Sequence, residues 1–136
     1  MTESTSTITA AEATVLRGFA AFATLDTDTL GAVFHPDVVW THRNDDRFAG
    51  AKAGWPAVAA FFGESAELTA GTLRVEPQTT MSRDDLVTVI ARVSATRPDG
   101  RSFDDMQMLL FRLEDDRAVA VDQYVGDPAA VRAFWD

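Results

Sequence analysis

Between Thr72 and Val125 the sequence runs through four β-rich segments, and this stretch restricts the possible folds more than any other. The segments are TLRVEPQTT, LVTVIARVSATR, RSFDDMQMLLFRL and AVAVDQYV, separated by SRDD, PDG and EDDR. Linkers this short and polar join antiparallel neighbours, because a parallel return needs a crossover of a dozen residues or more. The second half of the chain therefore reads as a meander of hairpins.

The first half reads differently. Thr9 and Glu12 form a capping-box signature, and Val15, Phe19 and Phe22 recur at helical spacing to about Thr24. Asp26 can cap a second, shorter helix whose Leu30, Val33 and Phe34 share a face until Pro36. HPDVVWTHR then alternates like a strand. In GWPAVAAFFGESAELT, Pro56 suits a first helical turn, and Val58, Phe61, Phe62 and Leu68 form an apolar stripe. Gly126, Asp127 and Pro128 end the last strand and open a short helix, AAVRAFW. The predicted order is helix, helix, strand, helix, four strands and a terminal helix. It implies an α+β domain whose curved, largely antiparallel sheet wraps around three helices and leaves a concave apolar cavity.

At 136 residues the chain is sized for one such core, with residues 1–8 as a disordered tail and residues 9–136 as a single domain. A net charge of -9 disfavours nucleic acid and anionic lipid as partners. The lack of cysteine excludes disulfides, thiolate catalysis and cysteine-ligated metal. No apolar run reaches bilayer length and no secretory signal opens the sequence, so the expected location is the cytoplasm.

Four phrases carry a family resemblance: FAAFATLDTDTLGAVFHPDVVW, the G-x-x-A-V-x-x-F-F pattern from Gly54 to Phe62, LLFRLEDDRAVAVDQY and GDPAAVRAFW. Together they resemble the nuclear transport factor 2-like superfamily, in its SnoaL-like and ketosteroid-isomerase-like branch, over nearly the whole chain. The resemblance implies a cone-shaped α+β barrel, and it is shared by isomerases, dehydratases, cyclases and non-catalytic binding proteins. An ungapped match places the isomerase's general-base aspartate on His42, its oxyanion tyrosine on Gly18 and its protonated aspartic acid on Leu109. With glycine and leucine at those two positions, steroid isomerisation by that mechanism is not expected. The aspartate, arginine, aspartate relay of limonene epoxide hydrolases is not reproduced either. Arg92 is the one match, and the apolar set Val87, Val89, Ala91, Val93 and Ala95 turns it to the opposite face.

His42 is the central candidate residue, because imidazole accepts a proton near neutral pH without large tuning. The alternative is a structural histidine bonded to a backbone carbonyl. His35, beside Pro36, reads as a surface or capping residue. Side-chain parity brings Gln107 and Gln123 to the cavity face, where their amides can orient a substrate or donate to an oxyanion. Asp105 is a possible general acid if it reaches the pocket, and a solvated strand-end residue if it does not. Trp40, Phe19, Phe22, Trp55, Phe62, Leu109, Val121 and Val125 are the expected pocket wall. The loop RNDDRF, residues 43–48, either lines the mouth or is simply solvated. His42 with Asp45 and Asp46 does not make a convergent metal set, so no metal is expected.

The sequence thus points to a small cofactor-independent enzyme of the lyase, isomerase or cyclase type. His42 would be its general base, and its ligand a hydrophobic cyclic or polyketide-like molecule. No phosphate loop, dinucleotide fingerprint or nucleophile elbow is present. The alternative is a non-catalytic binding or interaction domain of the same fold. Met106, Met108, Leu110, Ala120 and Tyr124 fall on the other sheet face, where a homodimer is expected to cover them.

Overall fold

A computed structural model of the chain describes residues 8–136. The tail expected over residues 1–8 lies, apart from the exposed Ile8, outside the described residues. Helix α1 spans Ala10–Ala23, with the Thr9 side chain accepting from the Glu12 N–H at 3.1 Å. Its buried residues Thr14, Val15, Gly18 and Ala21 repeat at helical spacing and form one face. Helix α2, Thr27–Val33, is capped by Asp26, which accepts from the Thr29 N–H at 3.2 Å. Strand β1, Phe34–Arg43, follows without a linker.

A short strand β2, Gly50–Ala53, then pairs back on β1, with Trp40 opposite Lys52 and His42 opposite Gly50. Helix α3, Trp55–Leu68, carries Pro56 in its first turn. Strands β3 (Arg74–Arg83), β4 (Leu86–Thr96), β5 (Ser102–Glu114) and β6 (Arg117–Tyr124) form the meander, and α4, Pro128–Trp135, ends the chain. The sheet has six strands in the order β2-β1-β6-β5-β4-β3. Every pairing is antiparallel except that of β1 with β6. The β5–β6 turn places Asp115 and Asp116 at φ 51° and 63°, the paired left-handed conformation that fits a two-residue hairpin to strand twist.

Register shifts in β1 between Phe34 and Val39, in β3 between Pro77 and Thr79, and in β5 between Arg112 and Leu113 mark where the sheet bends. The concave face packs its alternate residues, such as Val87, Val89, Ala91, Val93 and Ala95 of β4, against the helices. The convex face is uncovered in the single chain, with Met106 48%, Met108 37% and Tyr124 38% exposed. The sheet is curved and unclosed, as expected, but has one strand more than the sequence predicts. Strand β2 has no apolar alternation of its own and forms only because β1 offers it an edge. Among the described residues, no helix is long and apolar enough to cross a membrane.

Candidate active site

Strand parity and register build the site. Trp40 and His42 stand two apart on β1 and so point the same way. His42 lies beside Gln123 across the parallel β1–β6 pair, and Gln123 lies opposite Leu109 on β5, two residues from Gln107. These side chains form the polar end of a cavity of about 80 Å³ whose remaining wall is mostly aromatic and aliphatic. A single water needs roughly 10–15 Å³ on the same measure, so the space suits several waters or one small ring system. Gly18 and Leu109, where the isomerase match puts the tyrosine and the acid, both line it.

The polar groups are joined in one chain. Trp40 Nε1–H donates to Gln123 Oε1 at 3.0 Å, and Gln123 Nε2 donates to Gln107 Oε1 at 2.8 Å. Gln107 Nε2 then donates to Asp105 Oδ2 at 3.2 Å. Asp105 also accepts from the backbone N–H of Gly126 at 3.0 Å and of Asp127 at 3.1 Å. An indole N–H can only donate, and a carboxylate can only accept. Both glutamine amides are therefore oriented from the two ends of the chain.

That orientation fixes what His42 faces. Its Nδ1 faces Gln123 Oε1 at 3.1 Å and its Nε2 faces Asp46 Oδ2 at 2.9 Å. Both ring nitrogens are thus held within the protein, Nε2 by a carboxylate and Nδ1 by an amide oxygen. The His42–Asp46 pair is fully interior, its side chains 2% and 0% exposed. Asp46 further accepts from Asn44 Nδ2 and from the Phe48 N–H, both at 2.8 Å. Burial pushes the Asp46 carboxyl up, but the hydrogen bonds from His42, Phe48 and Asn44 and the charge of His42 outweigh it. The group sits below its ordinary value. Lys52 on β2 steadies the same loop by donating to the Phe48 and Gly50 carbonyls, its ammonium 4.7 Å above the Phe61 ring. Burial pulls Lys52 below the usual lysine value, against the charges of Asp46 and Glu64.

His42, Gln107, Gln123, Trp40, Phe19, Phe22, Phe62 and Leu109 all line the cavity. Asp105 does not. Neither of its expected roles fits its position, since it is buried rather than solvated and both oxygens are spent as acceptors on Gln107 and the Gly126–Asp127 turn.

Trp55, Val121 and Val125 also stand away from the wall. Trp55, at the start of α3, stacks on Phe34 at 5.3 Å and 10°. Val121 is flanked in register by Trp40 and Phe111, whose larger rings reach the cavity instead. Val125 lies past the end of β6 and is only partly buried. His35 accepts from the Asp37 N–H at 3.0 Å, a local turn contact, and Arg92 points outward to Asp104 at 2.9 Å.

The loop after β1 is neither simply solvated nor uniformly at the mouth, because Asp46 and Phe48 turn inward while Arg43, Asp45 and Arg47 remain exposed. Asp45 is 3.6 Å from Arg132 and shares nothing with His42. Two site residues escape a reading of the sequence alone: Asp46, and Trp135 of α4, which lines the cavity and packs on Phe48 at 4.8 Å.

The SnoaL-like domain family matches residues 15–121. The chain belongs to that family. Its fold is that of Bal32a from a soil-derived mobile gene cassette, 30% identical, with a TM-score of 0.90 over 93% of this chain and 97% of that one. A protein of unknown function with a cystatin-like fold from Xanthomonas campestris is 26% identical, with a TM-score of 0.86 over 92% and 97%. A proposed SnoaL-like polyketide cyclase from Jannaschia sp. CCS1 is 23% identical, with a TM-score of 0.79 over 98% and 97%. No curated protein matches the sequence. The six-stranded cone with its helices is thus the SnoaL-like architecture.

Proposed function

We propose that this SnoaL-like protein is a small cofactor-independent cytoplasmic enzyme of the lyase, isomerase or cyclase type, in which His42 moves a proton on a hydrophobic molecule held in the cavity. The observation that supports it is the buried Asp46–His42 pair at the polar end of an otherwise apolar cavity. A carboxylate on one ring nitrogen fixes the imidazole and stabilises its charge, which is what proton-transfer histidines require. In this reading Nδ1 of His42 serves in turn as proton donor and as general base. Nδ1 gives its proton to a substrate heteroatom, and the lone pair so exposed takes a proton from carbon. The ring then returns to its starting state and the substrate is isomerised.

The test is α-proton exchange of cyclohexanone, 2-cyclohexenone and α-tetralone in D₂O, followed by proton NMR. Wild type is expected to exceed His42→Gln by about 100-fold, the usual scale of general acid–base catalysis. Equal rates for all three ketones would remove His42 from proton transfer. The second reading, a non-catalytic binding domain, draws on one observation: every ring nitrogen of His42 is already satisfied within the protein. A ligand recovered unchanged after long incubation favours it.

The same proposal includes a homodimer through the convex face, where Met106, Met108 and Tyr124 are exposed. Sedimentation should show a dimer at micromolar concentration that Met108→Glu converts to monomer. A wild-type monomer would sink this part.

A further inference from the structure

The hydrogen-bond chain uses up acceptors faster than donors. Gln123 Oε1 is already engaged twice, accepting from Trp40 Nε1–H and facing His42 Nδ1 at 3.1 Å. Each glutamine Nε2 has spent one of its two hydrogens, Gln123 on Gln107 and Gln107 on Asp105. One N–H of each amide is left over, and both residues line the cavity. Trp135, also in the wall and only 5% exposed, carries an indole N–H with no hydrogen-bond partner among the described residues. Against these three donors stand one remaining lone pair on Gln107 Oε1 and the Ser65 hydroxyl, which donates to the Phe62 carbonyl at 2.9 Å. Gln107 and Trp135 are buried and Gln123 is half-buried; buried donors without acceptors are costly, so a cavity with this excess is completed by an atom that accepts.

Charge narrows the class further. No lysine, arginine, aspartate or glutamate lines the cavity. A carboxylate ligand would enter without a counter-ion and leave a net negative charge in an apolar site. An alcohol would bring a hydrogen to a site already rich in them. A neutral carbonyl accepts without donating and carries no charge.

We propose that the cavity selects a neutral carbonyl compound with a compact hydrophobic body, its oxygen received by the unspent N–H groups of Gln107 and Gln123. This rests on the cavity being the ligand site, and it is independent of whether His42 turns the ligand over. The specificity is electrostatic in origin: a site that hydrogen-bonds one group rejects the analogue lacking it, because the site's own donors are then stranded.

The test is the binding of four ring-matched probes, cyclohexanone, cyclohexanol, cyclohexanecarboxylate and methylenecyclohexane, followed by tryptophan fluorescence and by the side-chain amide NMR signals of the two glutamines. Cyclohexanone should bind at least about 10-fold more tightly than methylenecyclohexane, although the hydrocarbon is driven harder from water, and should shift both amide signals. Gln107→Leu and Gln123→Leu should each reduce that preference to within about 3-fold. Equal or tighter binding of methylenecyclohexane overturns the carbonyl selection, and tighter binding of the carboxylate overturns the neutral class. Failure of all four to bind overturns the cavity as the ligand site. Ketone selectivity without α-proton exchange would sustain this inference while removing the proposed catalysis.

Discussion

Asp46, in the loop after β1, and Asp105, near the start of β5, are buried carboxylates at opposite ends of one hydrogen-bonded chain. Asp46 faces an ionisable ring that lines the cavity; Asp105 faces a glutamine amide and two backbone N–H groups at the turn into α4. The same side chain therefore does two jobs. One sets the charge of the site, and the other fixes the backbone and the direction of the amides. The sharpest way to separate them is Asp46→Asn, which takes the carboxylate away from His42 Nε2. Ketone α-proton exchange should fall by about 100-fold or more. Asp105→Asn should instead cost stability, about 2–3 kcal/mol as a lowered denaturant midpoint, because an amide presents hydrogens to donors. Its exchange rate per folded molecule should stay within several-fold of wild type. If Asp105→Asn lost activity as deeply while still folded, the division of labour would be wrong.

The turn that Asp105 holds gives a smaller effect of the same kind. A Cβ added at Gly126 would sit 2.4 Å from the Met106 carbonyl and 2.6 Å from Asp105 Oδ1, and both neighbours are fixed. Gly126→Ala should therefore destabilise by roughly 1–3 kcal/mol, with a cavity that still binds. A neutral result would mean that Asp105 is free to move and is not the anchor described.

Much of this arrangement was legible beforehand, for reasons particular to each element. Short polar turns specified the meander, Thr9 and Asp26 announced two helix starts, and strict alternation in β4 and β5 sorted Gln107 from Met106 and Met108. Strand β2 was not legible, since Gly50–Ala53 has no pattern of its own and exists by pairing with β1. Asp46 was hidden by its neighbours. A run of Arg43, Asn44, Asp45, Asp46 and Arg47 reads as solvated, and only the inward turn of Phe48 draws Asp46 out of water. The role of Trp135 depends on where α4 docks, a long-range event with no local signal. The contacts of His42 were the least accessible of all, because they depend on amide orientations set by Trp40 and Asp105, 65 residues apart.

A pH series tests the partners of Asp46 without a substrate. Asp46 is held below its ordinary value, so the folded protein takes up its proton less readily than the unfolded chain, and stability rises with pH through that region. The contribution is complete above about pH 4, the unfolded value, and is lost as the pH falls through the lower folded value. The melting-temperature gap between wild type and Asp46→Asn should therefore narrow from pH 7 to pH 3. A gap unchanged across that range would mean that Asp46 gains nothing from its partners.

The smallest effect belongs to an exposed ion pair, Arg92 with Asp104, whose side chains are each 53% exposed on the convex face. In contact geometry it rivals Asp46 with His42, but water screens it and two long side chains must be ordered to make it. Asp104→Asn should shift the melting temperature of the monomer by no more than ~2 °C. The measurement gains force when repeated across protein concentrations, because the convex face is also the proposed dimer surface. A cost that grows as the protein is concentrated would place the pair inside that interface, where losing one partner strands the other charge. A cost that stays flat would leave it at the rim or in solvent, and would show that burial rather than pairing separates the carboxylate that sets the charge of the site from one that contributes little.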